Sequence, residues 1–472
     1  MVWKTASMSY LGANHKLHTM KQNRVFEVLT ISMIGALLLT GSSTLFGQSN
    51  LPGFEENWAR WRGPMDNGVA PGGNPPLEWS ETTNIKWKSE IPGVGHATPI
   101  IWENQIILLS AIKTDQRVVP EKTGGEQEAA DWMNPKSTDY IHKFTVISVD
   151  RNTGKILWQT LVREELPYSH THEFGSWASN SPVTDGEHIY AYFGSHGLYC
   201  LNFQGELIWE RDLGRMEKHM SFGEGSSPAL YKDKLIILRD HNGQSMLHVM
   251  DKSSGDIIWE VERDEGTSWS TPSVVEFEGE TQLITSATNR CRSYNMETGE
   301  VLWEVGGLTR NVIPSPLYSE GMVYLMSGFR GNALLAVDLS KASGDITDSE
   351  AIAWRYDQNT PYTPNPILMD GLLYFLKVNN GYLTCLDAKD GTEYYTNVKL
   401  EGIKNIFTSP VGVKDRIYIA GTNGSFSVVK TGKAFELLSE NTLDDTFFAS
   451  PVILGDDLFL RGMKALYCVS NP

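Results

Sequence analysis

A proline-headed unit recurs along most of this chain and limits the folds that it can adopt. A small polar residue precedes proline at eight sites that recur along the chain. The sites are Thr98-Pro99, Ser181-Pro182, Ser227-Pro228, Thr271-Pro272, Ser315-Pro316, Asn365-Pro366, Ser409-Pro410 and Ser450-Pro451. Successive prolines are 83, 46, 44, 44, 50, 44 and 41 residues apart. Each proline opens an apolar strand, a turn and a second strand, as in VTDGEHIYAYF (183–193). A regular spacing of this kind indicates a repeat architecture.

A second pattern runs out of phase with the first. It is an Asp or Asn, a turn ending in glycine, and an aromatic residue four positions later, as in SVDRNTGKILW (148–158) and VMDKSSGDIIW (249–259). A longer version, AVDLSKASGDITDSEAIAW, spans 336–354. The turn favours glycine because its backbone takes a positive φ. We expect the aromatic residues to pack between neighbouring units. They are Trp87, Trp158, Trp209, Trp259, Trp303, Trp354 and Tyr395.

Four strands in about 44 residues fit one blade of a β-propeller. The prediction is therefore an all-β, eight-bladed β-propeller of four-stranded antiparallel blades. A solenoid is the alternative, although its repeats are usually shorter or helical. The last unit stops after its third strand, at ALYCVSNP (465–472), and the missing strand is present near the other end as NIKWKSEI (84–91). This N-terminal strand is predicted to complete the last blade and close the ring, which also removes exposed sheet edges.

Three segments are predicted along the chain. Residues 1–47 form a signal peptide with an N-terminal extension, 48–83 a lead-in, and 84–472 the propeller. The run VFEVLTISMIGALLL (25–39) follows Lys21 and Arg24 and precedes small residues, which is typical of a secretory signal. We expect a periplasmic or secreted protein, with an uncleaved signal anchor as the alternative and the only membrane contact. No cysteine lies near the cleavage region, so a lipid anchor is not predicted.

The proline-headed units ending in D-x-x-T-G-x-x-x-W resemble the pyrroloquinoline quinone (PQQ) repeat superfamily over about residues 84–472. That superfamily includes the eight-bladed quinoprotein alcohol dehydrogenases and the eight-bladed, non-catalytic BamB-like proteins. The dehydrogenases carry two adjacent cysteines beside the quinone and a Glu–Asn–Asp group around calcium. Here the cysteines are isolated and no matching calcium signature is found; they are Cys200, Cys291, Cys385 and Cys468. The resemblance therefore implies the BamB-like, non-catalytic branch, with no catalytic residues, no metal and no cofactor.

The composition excludes several classes of function. The formal net charge is −17 and the isoelectric point is about 5.1, which argues against a nucleic-acid partner. Four cysteines in 472 residues do not make a disulfide scaffold. No P-loop, C-x-x-C or G-x-S-x-G motif is present.

The longest connections are predicted to share one face of the ring. In a four-stranded meander, the connections that enter strand one and those between strands two and three lie together. The long segments 113–142, 163–180 and 214–226 all belong to this set, and functional residues concentrate on such loops. The candidate residues for a ligand or partner on this face are His96, Trp132, His170, His172, Glu173, His196, His219, Glu224, His241, Trp269, Arg310, Arg330 and Tyr362. His170 and His172 are two positions apart, so in an extended segment their side chains would point the same way and could bind one metal ion. The spacing specifies no third and fourth ligands, so no metal site is predicted.

The resulting hypothesis is an exported, non-catalytic propeller scaffold that binds a protein partner through its loop-rich face. If it acts like BamB, the partner belongs to the cell-envelope machinery that assembles outer-membrane proteins. The alternative is an enzyme or binder that uses the central funnel, either a PQQ-dependent dehydrogenase with PQQ and Ca²⁺ or a protein that takes a sugar or another small ligand.

Overall fold

Eight four-stranded antiparallel sheets follow one another around a ring. The computed structural model describes residues 53–118, 136 and 138–472. Ahead of the first blade the chain forms β1 (Val69–Ala70) and β2 (Ile85–Glu90). The all-β, eight-bladed propeller predicted from the repeat is confirmed. The predicted signal region, 1–47, lies outside the described residues. In the part that is described, no helix is long and apolar enough to span a membrane.

Blades 1 to 4 use the first half of the chain. Their strands are β3 (Ile100–Trp102), β4 (Gln105–Arg117), β5 (Tyr140–Asp150), β6 (Ile156–Glu165), β7 (Val183–Thr184), β8 (His188–Tyr192), β9 (Leu198–Asn202), β10 (Leu207–Arg211), β11 (Ala229–Tyr231), β12 (Lys234–Arg239), β13 (Ser245–Asp251), β14 (Ile257–Arg263), β15 (Ser273–Phe277), β16 (Glu280–Thr285), β17 (Cys291–Asn295) and β18 (Val301–Val305).

Blades 5 to 8 follow the same plan. Their strands are β19 (Leu317–Ser319), β20 (Met322–Ser327), β21 (Ala333–Asp338), β23 (Ile352–Tyr356), β24 (Ile367–Met369), β25 (Leu372–Leu376), β26 (Tyr382–Asp387), β27 (Glu393–Lys399), β28 (Val411–Val413), β29 (Arg416–Ala420), β30 (Ser425–Lys430), β31 (Leu437–Thr442), β32 (Val452–Leu454), β33 (Asp457–Arg461) and β34 (Ala465–Ser470). The remaining strand, β22 (Gly344–Asp345), lies in the longer turn of blade 5 and pairs in parallel with β18 of blade 4. Short 3₁₀ turns occur at Phe54–Glu56, Gly194–His196, His219–Ser221 and Leu339–Lys341.

Burial changes from the second strand of a blade to the fourth. Every residue of β12 is buried, whereas β14 alternates between exposed and partly buried positions along most of its length. The second strand packs against neighbouring blades on both of its faces, while the fourth strand forms the outer edge of the ring. The core consequently consists of apolar clusters between adjacent blades, such as the one that joins β8 and β9 to β12.

The ring is closed by β2, as predicted. This strand pairs antiparallel with β34, and Trp87 lies opposite Cys468. The indole N–H of Trp87 then donates to the carbonyl of Arg151 in blade 1, at 2.9 Å. The first and last parts of the propeller sequence therefore share blade 8.

The residue before each proline links its blade to the next blade. Its backbone N–H donates to the side-chain oxygen of the equivalent residue one blade further on. The eight bonds, between 2.7 and 3.1 Å long, run from Thr98 to Ser181, Ser227, Thr271, Ser315, Asn365, Ser409, Ser450 and back to Thr98. Proline holds the preceding residue in an extended conformation, and a buried N–H needs a partner. The repeated Ser/Thr/Asn-Pro pairs in the sequence therefore mark the residues that form a closed ring of eight hydrogen bonds.

In five blades, the glycine of the turn motif lies against the tryptophan of the preceding blade. An added Cβ at Gly255, where φ is +74°, would come within 2.8 Å of the Trp209 ring. Gly154, Gly205, Gly299 and Gly391 stand in the same relation to the preceding blade's tryptophan. The tryptophans Trp158, Trp209 and Trp259 also donate their indole N–H to a backbone carbonyl of the following blade, at 3.0–3.2 Å.

The last three aromatic residues of the series do not make this hydrogen bond to the following blade. Trp303 is fully buried and donates to the side chain of Gln282 in its own blade at 3.0 Å. Trp354 lies against Gly391 of blade 6, and Tyr395 contacts Phe435 with ring centroids 5.8 Å apart. The departure at Trp303 coincides with the inserted β22, which lies beside β18.

Residues 54–70 of the lead-in contact the inner strands of several blades. Trp58 forms an antiparallel bridge with Ile101 of blade 1, and β1 pairs in parallel with β28 of blade 7. The carbonyl of Ala59 accepts from the Thr184 backbone in blade 2 at 3.0 Å. Because first strands line the axis of a propeller, this segment lies in the central channel.

Buried charges hold this axial plug, defined here as residues 54–70. The Arg62 guanidinium donates to the carbonyls of Pro366 and Pro410, at 3.2 and 3.1 Å, and so reaches blades 6 and 7. Burial lowers the pKa of Arg62 to about 10, with an opposing effect of Asp66. The pKa of Asp66 is raised because burial outweighs the attraction of Arg60 and Arg62.

Candidate interaction face

The connections that enter first strands and those that join second to third strands share one face, called the loop-rich face below. They include 166–182, 212–228, 306–316, 357–366, 400–410 and 443–451. The axial plug extends from a hairpin of the opposite face, where the Glu103 backbone donates to Asn57 at 2.6 Å, to the last residues of two loop-rich connections, Pro366 and Pro410, whose carbonyls accept from Arg62.

Four rings meet across the axis on this face. Phe174, from the connection into blade 2, contacts Phe407 and Phe448 with centroids 5.6 and 6.0 Å apart. Phe407 and Phe448 also touch each other at 5.7 Å, and His96 stacks on Phe448 at 4.4 Å. Phe174 is 43% exposed. These residues form the axial aromatic cluster, whose members come from the connections into four consecutive blades, 7, 8, 1 and 2.

The His96 ring in this cluster is neutral. Its pKa lies well below the ordinary value because of burial, with further effects of Lys136 and Arg461. The Arg461 guanidinium lies close by and donates to the carbonyls of Ala97 and Leu109, at 3.2 and 2.7 Å. Burial lowers the pKa of Arg461 to about 9. A neutral imidazole can stack on Phe448 without the cost of desolvating a charge.

Two histidines of the candidate set shape the loop that carries Phe174. The Nδ1 of His170 is hydrogen-bonded to the Lys136 carbonyl at 3.0 Å, and the Nδ1 of His172 accepts from the Phe174 backbone at 3.1 Å. Glu173 is exposed on the same loop. Within the described ranges, no three His, Cys, Asp or Glu side chains are grouped as metal ligands would be.

A row of rings connects the cluster to blade 3 and blade 4. His172 contacts Phe222 at 5.7 Å, and Phe222 contacts Trp269 at 6.3 Å. The Trp269 indole donates to the Gly223 carbonyl at 2.7 Å, and only 9% of this residue is exposed. Trp269 therefore supports Phe222 from below rather than presenting its own ring.

A cleft of about 430 Å³, called the cationic cleft below, opens beside this row. Its lining residues are His219, Met220, Phe222, Asn242, Gly266, Thr267, Thr288, Asn289, Arg310, Asn311, Phe329 and Arg330. Arg310 and Arg330 are exposed, and no carboxylate lines the cleft. Tyr362 borders it by stacking on Phe329 at 4.8 Å. Burial raises the pKa of Tyr362, with a small opposing hydrogen bond from Asn311.

Three candidates from the sequence, His196, Glu224 and His241, form hydrogen bonds within the protein, and their place in a ligand or partner surface stays a prediction. His196 is hydrogen-bonded to Glu165 at 2.8 Å and lies between Phe144 and Tyr168. Both oxygens of Glu224 accept from Ser195. These hydrogen bonds link neighbouring loops and help to fix their positions.

His241 is the third of these internal residues. Its Nδ1 accepts from the backbones of Glu217 and Gly243, at 3.2 and 3.1 Å. Burial lowers the pKa of His241 to about 4, with further effects of Lys218 and Arg239. The remaining candidate, Trp132, lies outside the described residues.

The sequence reasoning missed the rings that dominate this face. Phe407 and Phe448 precede Pro410 and Pro451 by three residues, the same position that Trp269 and His96 occupy in their own units. Comparison of the repeats at that position would have found both. Phe174 has no equivalent in the repeats, and only the course of its loop brings it to the axis.

The four cysteines do not match the arrangement expected beside a quinone in the dehydrogenases. All four cysteines are free and buried, each in a different blade. Burial raises the pKa of each thiol to about 12. No pair of them can form the adjacent disulfide that the PQQ enzymes place beside the quinone. The described residues also lack a cluster of acidic ligands for calcium.

Comparisons with known proteins agree with the repeat. A family model described as outer membrane protein assembly factor BamB matches residues 142–397. The outer membrane protein assembly factor BamB of Shewanella oneidensis is 19% identical over 315 residues, which cover 56% of this chain and 77% of that protein.

Solved structures show similar folds at low identity. A europium-containing methanol dehydrogenase matches with a TM-score of 0.58 at 10% identity, over 87% of this chain and 90% of the dehydrogenase. The crystal structure of BamB from Moraxella catarrhalis matches with a TM-score of 0.48 at 14% identity, over 77% of this chain and 97% of that one. At such identities the likeness to the dehydrogenase shows the fold alone.

Proposed function

This chain belongs to the PQQ-repeat family described as outer membrane protein assembly factor BamB, and on that premise we propose that it is an exported, non-catalytic scaffold for a protein partner. The partner binds the loop-rich face, at the axial aromatic cluster. The proposed role is within the cell-envelope machinery that assembles outer-membrane proteins. No metal or cofactor takes part.

The exposed aromatic cluster carries this proposal. Phe174, Phe407 and Phe448 lie in mutual contact on loops that a rigid ring holds in place. Phe174 leaves 43% of its surface exposed although it already touches two other rings. Aromatic side chains that are clustered and partly exposed supply much of the binding energy in protein interfaces. A partner that covers the cluster would remove this apolar area from water.

Site-specific crosslinking tests the proposal. A photoreactive amino acid replaces Phe174 in one variant and Lys389, an exposed residue of a hairpin on the opposite face, in a matched control. Both proteins are irradiated in intact cells of the source organism. We expect an envelope protein, identified by mass spectrometry, to be captured from position 174 and not from position 389. The adduct should be lost when Phe407→Ala and Phe448→Ala are added.

Two results would contradict the proposal. The first is capture that is equal from both positions and unaffected by the phenylalanine substitutions. The second concerns chemistry: the purified protein is mixed with PQQ and Ca²⁺ and its absorbance recorded. A stoichiometric quinone band, together with oxidation of an alcohol or sugar, would establish the dehydrogenase alternative. We expect a spectrum equal to the sum of protein and free PQQ.

A further inference from the structure

The charge of the cationic cleft is opposite to that of the whole protein. The chain has a formal net charge of −17, yet Arg310, Arg330 and His219 line the cleft without any carboxylate. Among the described residues, neither guanidinium has a carboxylate within ion-pair distance, although most other arginines of the propeller form such pairs. The cleft is therefore complementary to a ligand that brings negative charge.

The two arginines are held next to each other by the backbone. Arg310 forms an antiparallel bridge with Phe329, the neighbour of Arg330 in sequence. The backbone and hydroxyl of Thr309 are both hydrogen-bonded to the Ser327 hydroxyl, at 2.7 and 2.9 Å, which fastens this connection to blade 5. The guanidiniums thus project from a fixed frame, and little backbone entropy is lost when they bind a ligand.

The cleft also concentrates unusual backbone conformations. Met220, Asn311 and Arg330 have φ of 50°, 57° and 53°, in the left-handed region that side chains other than glycine rarely adopt. They come from three separate loops that meet at the cleft. Strained backbone of this kind clusters at sites that bind ligands, because the surrounding structure must impose it.

The exposure of Arg310 and Arg330 indicates that the ligand of the cleft is a segment of a protein rather than a small molecule. Small ligands are usually enclosed, whereas both guanidiniums here are exposed. Phe222 and Phe329 supply apolar surface for a neighbouring side chain, and the amides of Asn242 and Asn289 can bind peptide groups. Through Phe222 and His172 the cleft is continuous with the axial aromatic cluster.

We infer that the cationic cleft binds an acidic peptide segment of the protein partner, with one carboxylate on each of Arg310 and Arg330 and an apolar side chain against Phe222 and Phe329. This inference rests on the proposed function, since it names the partner's chemistry at the same face. Arginine suits the role because its planar fork binds a carboxylate through two hydrogen bonds.

Fluorescence anisotropy tests the inference on the purified full-length protein. The ligand is a fluorescein-labelled octapeptide in which two glutamates flank a phenylalanine, and the matched peptide carries glutamine in their place. We expect the glutamate peptide to bind about tenfold more tightly than the glutamine peptide, as two exposed ion pairs allow. Arg310→Ala with Arg330→Ala should remove that tenfold difference, and added salt should weaken binding of the glutamate peptide only.

The control variant carries Lys155→Ala and Lys389→Ala. Both lysines are exposed on hairpins of the opposite face, so the net charge changes by the same amount while the cleft stays intact. Preference for the glutamate peptide should persist in this variant. Equal binding of the two peptides, or an equal loss in both double variants, would overturn the inference. So would arginine-dependent binding to phosphatidylglycerol vesicles without any preference for the glutamate peptide.

The crosslinking described above separates this inference from the proposed function. It is repeated from position 174 in the variant with Arg310→Ala and Arg330→Ala. Undiminished capture of the envelope protein would leave the proposed function standing and reject the cleft as part of its site. Reduced capture, with the Lys155→Ala and Lys389→Ala protein unaffected, supports both. Absence of capture from the unsubstituted protein, with the peptide preference intact, would reject the proposed partner and leave only the acidic-peptide site.

Discussion

The backbone N–H of Ser450 donates to the Oγ1 of Thr98 at 3.1 Å, and this bond joins the last blade to the first. It belongs to the same series as the seven bonds between consecutive blades, although 352 residues separate its partners in sequence. Thr98 in turn donates its own N–H to Ser181 at 2.9 Å. The ring of eight bonds therefore depends on one contact that local sequence cannot make.

Substitution of Thr98 should weaken ring closure. Thr98→Val keeps the shape of the side chain and removes the acceptor, so the buried Ser450 N–H loses its partner. We expect the free energy of unfolding to fall by about 1–3 kcal/mol, measured by urea denaturation. Thr82→Val, at an exposed position, serves as the control and should change stability by less than about 0.5 kcal/mol. An equal effect of the two substitutions would show that the closing bond adds nothing.

A pair of glycines separates steric contact from backbone strain. Gly255 and Gly279 have φ of +74° and +86°, but only at Gly255 would a Cβ meet another ring, that of Trp209 at 2.8 Å; at Gly279 nothing lies within 4 Å. Alanine at either position costs about 1 kcal/mol of backbone strain. We expect Gly255→Ala to cost a further ~1–3 kcal/mol by overpacking, as measured by chemical denaturation. Equal losses of unfolding free energy in the two variants would show that the contact between Gly255 and Trp209 does not restrict the packing of the two blades.

The axial plug should contribute to the stability of the ring. Arg62→Lys keeps a positive charge but cannot reach the carbonyls of Pro366 and Pro410 together, so one is left unpaired. The expected loss is about 1–3 kcal/mol of unfolding free energy. Arg117→Lys is the matched control, because Arg117 is exposed and its ion-pair partner among the described residues is Asp139. We expect Arg117→Lys to lower the free energy of unfolding by less than about 0.5 kcal/mol. An equal loss in the two variants would contradict a contribution of the Arg62 hydrogen bonds to the stability of the ring.

Acidification should destabilise the protein partly through His241. The pKa of this residue is lowered by burial to about 4 in the folded state, against about 6.5 when unfolded. The unfolded state therefore binds the proton first, and the stability that His241 contributes is present above about pH 6.5 and lost as the pH falls toward 4. Between about pH 7 and about pH 5 the expected loss is about 2 kcal/mol.

His241→Asn isolates this effect, because an amide oxygen can accept the backbone bonds from Glu217 and Gly243 without titrating. Stability of both proteins is measured by urea denaturation at the two pH values. The variant should lose about 2 kcal/mol less than the unsubstituted protein over that interval. Parallel pH profiles for the two proteins would exclude His241 as a source of acid sensitivity.

The cysteines should be unreactive until the protein unfolds. Cys200, Cys291, Cys385 and Cys468 are buried and free, and burial raises each thiol pKa to about 12. The thiolate is the reactive form, so a colorimetric disulfide reagent should label almost no thiol at neutral pH in the folded protein. All four should react in guanidinium chloride without a reductant. Fewer than four under those conditions would indicate a disulfide.

The repeat in the sequence determined the all-β propeller, its eight blades and the strand that closes it. This was possible because each blade repeats the same local chemistry. Proline fixes an extended residue, glycine permits a positive φ, and the aromatic residue fits the next blade. The pairing of Trp87 with Cys468 follows once the count of strands is complete, because an unpaired edge is costly.

Only the tertiary structure decided what fills and what covers the axis. The lead-in has no repeat to compare, and the bonds of Arg62 reach residues more than 300 positions away. The meeting of Phe174 with Phe407 and Phe448 depends on how a long loop crosses the ring. Local sequence sets a residue's conformation, but the contacts of a loop residue depend on the whole frame that positions it. The same limit explains why the sequence did not indicate the hydrogen bonds of His196 to Glu165 and of Glu224 to Ser195.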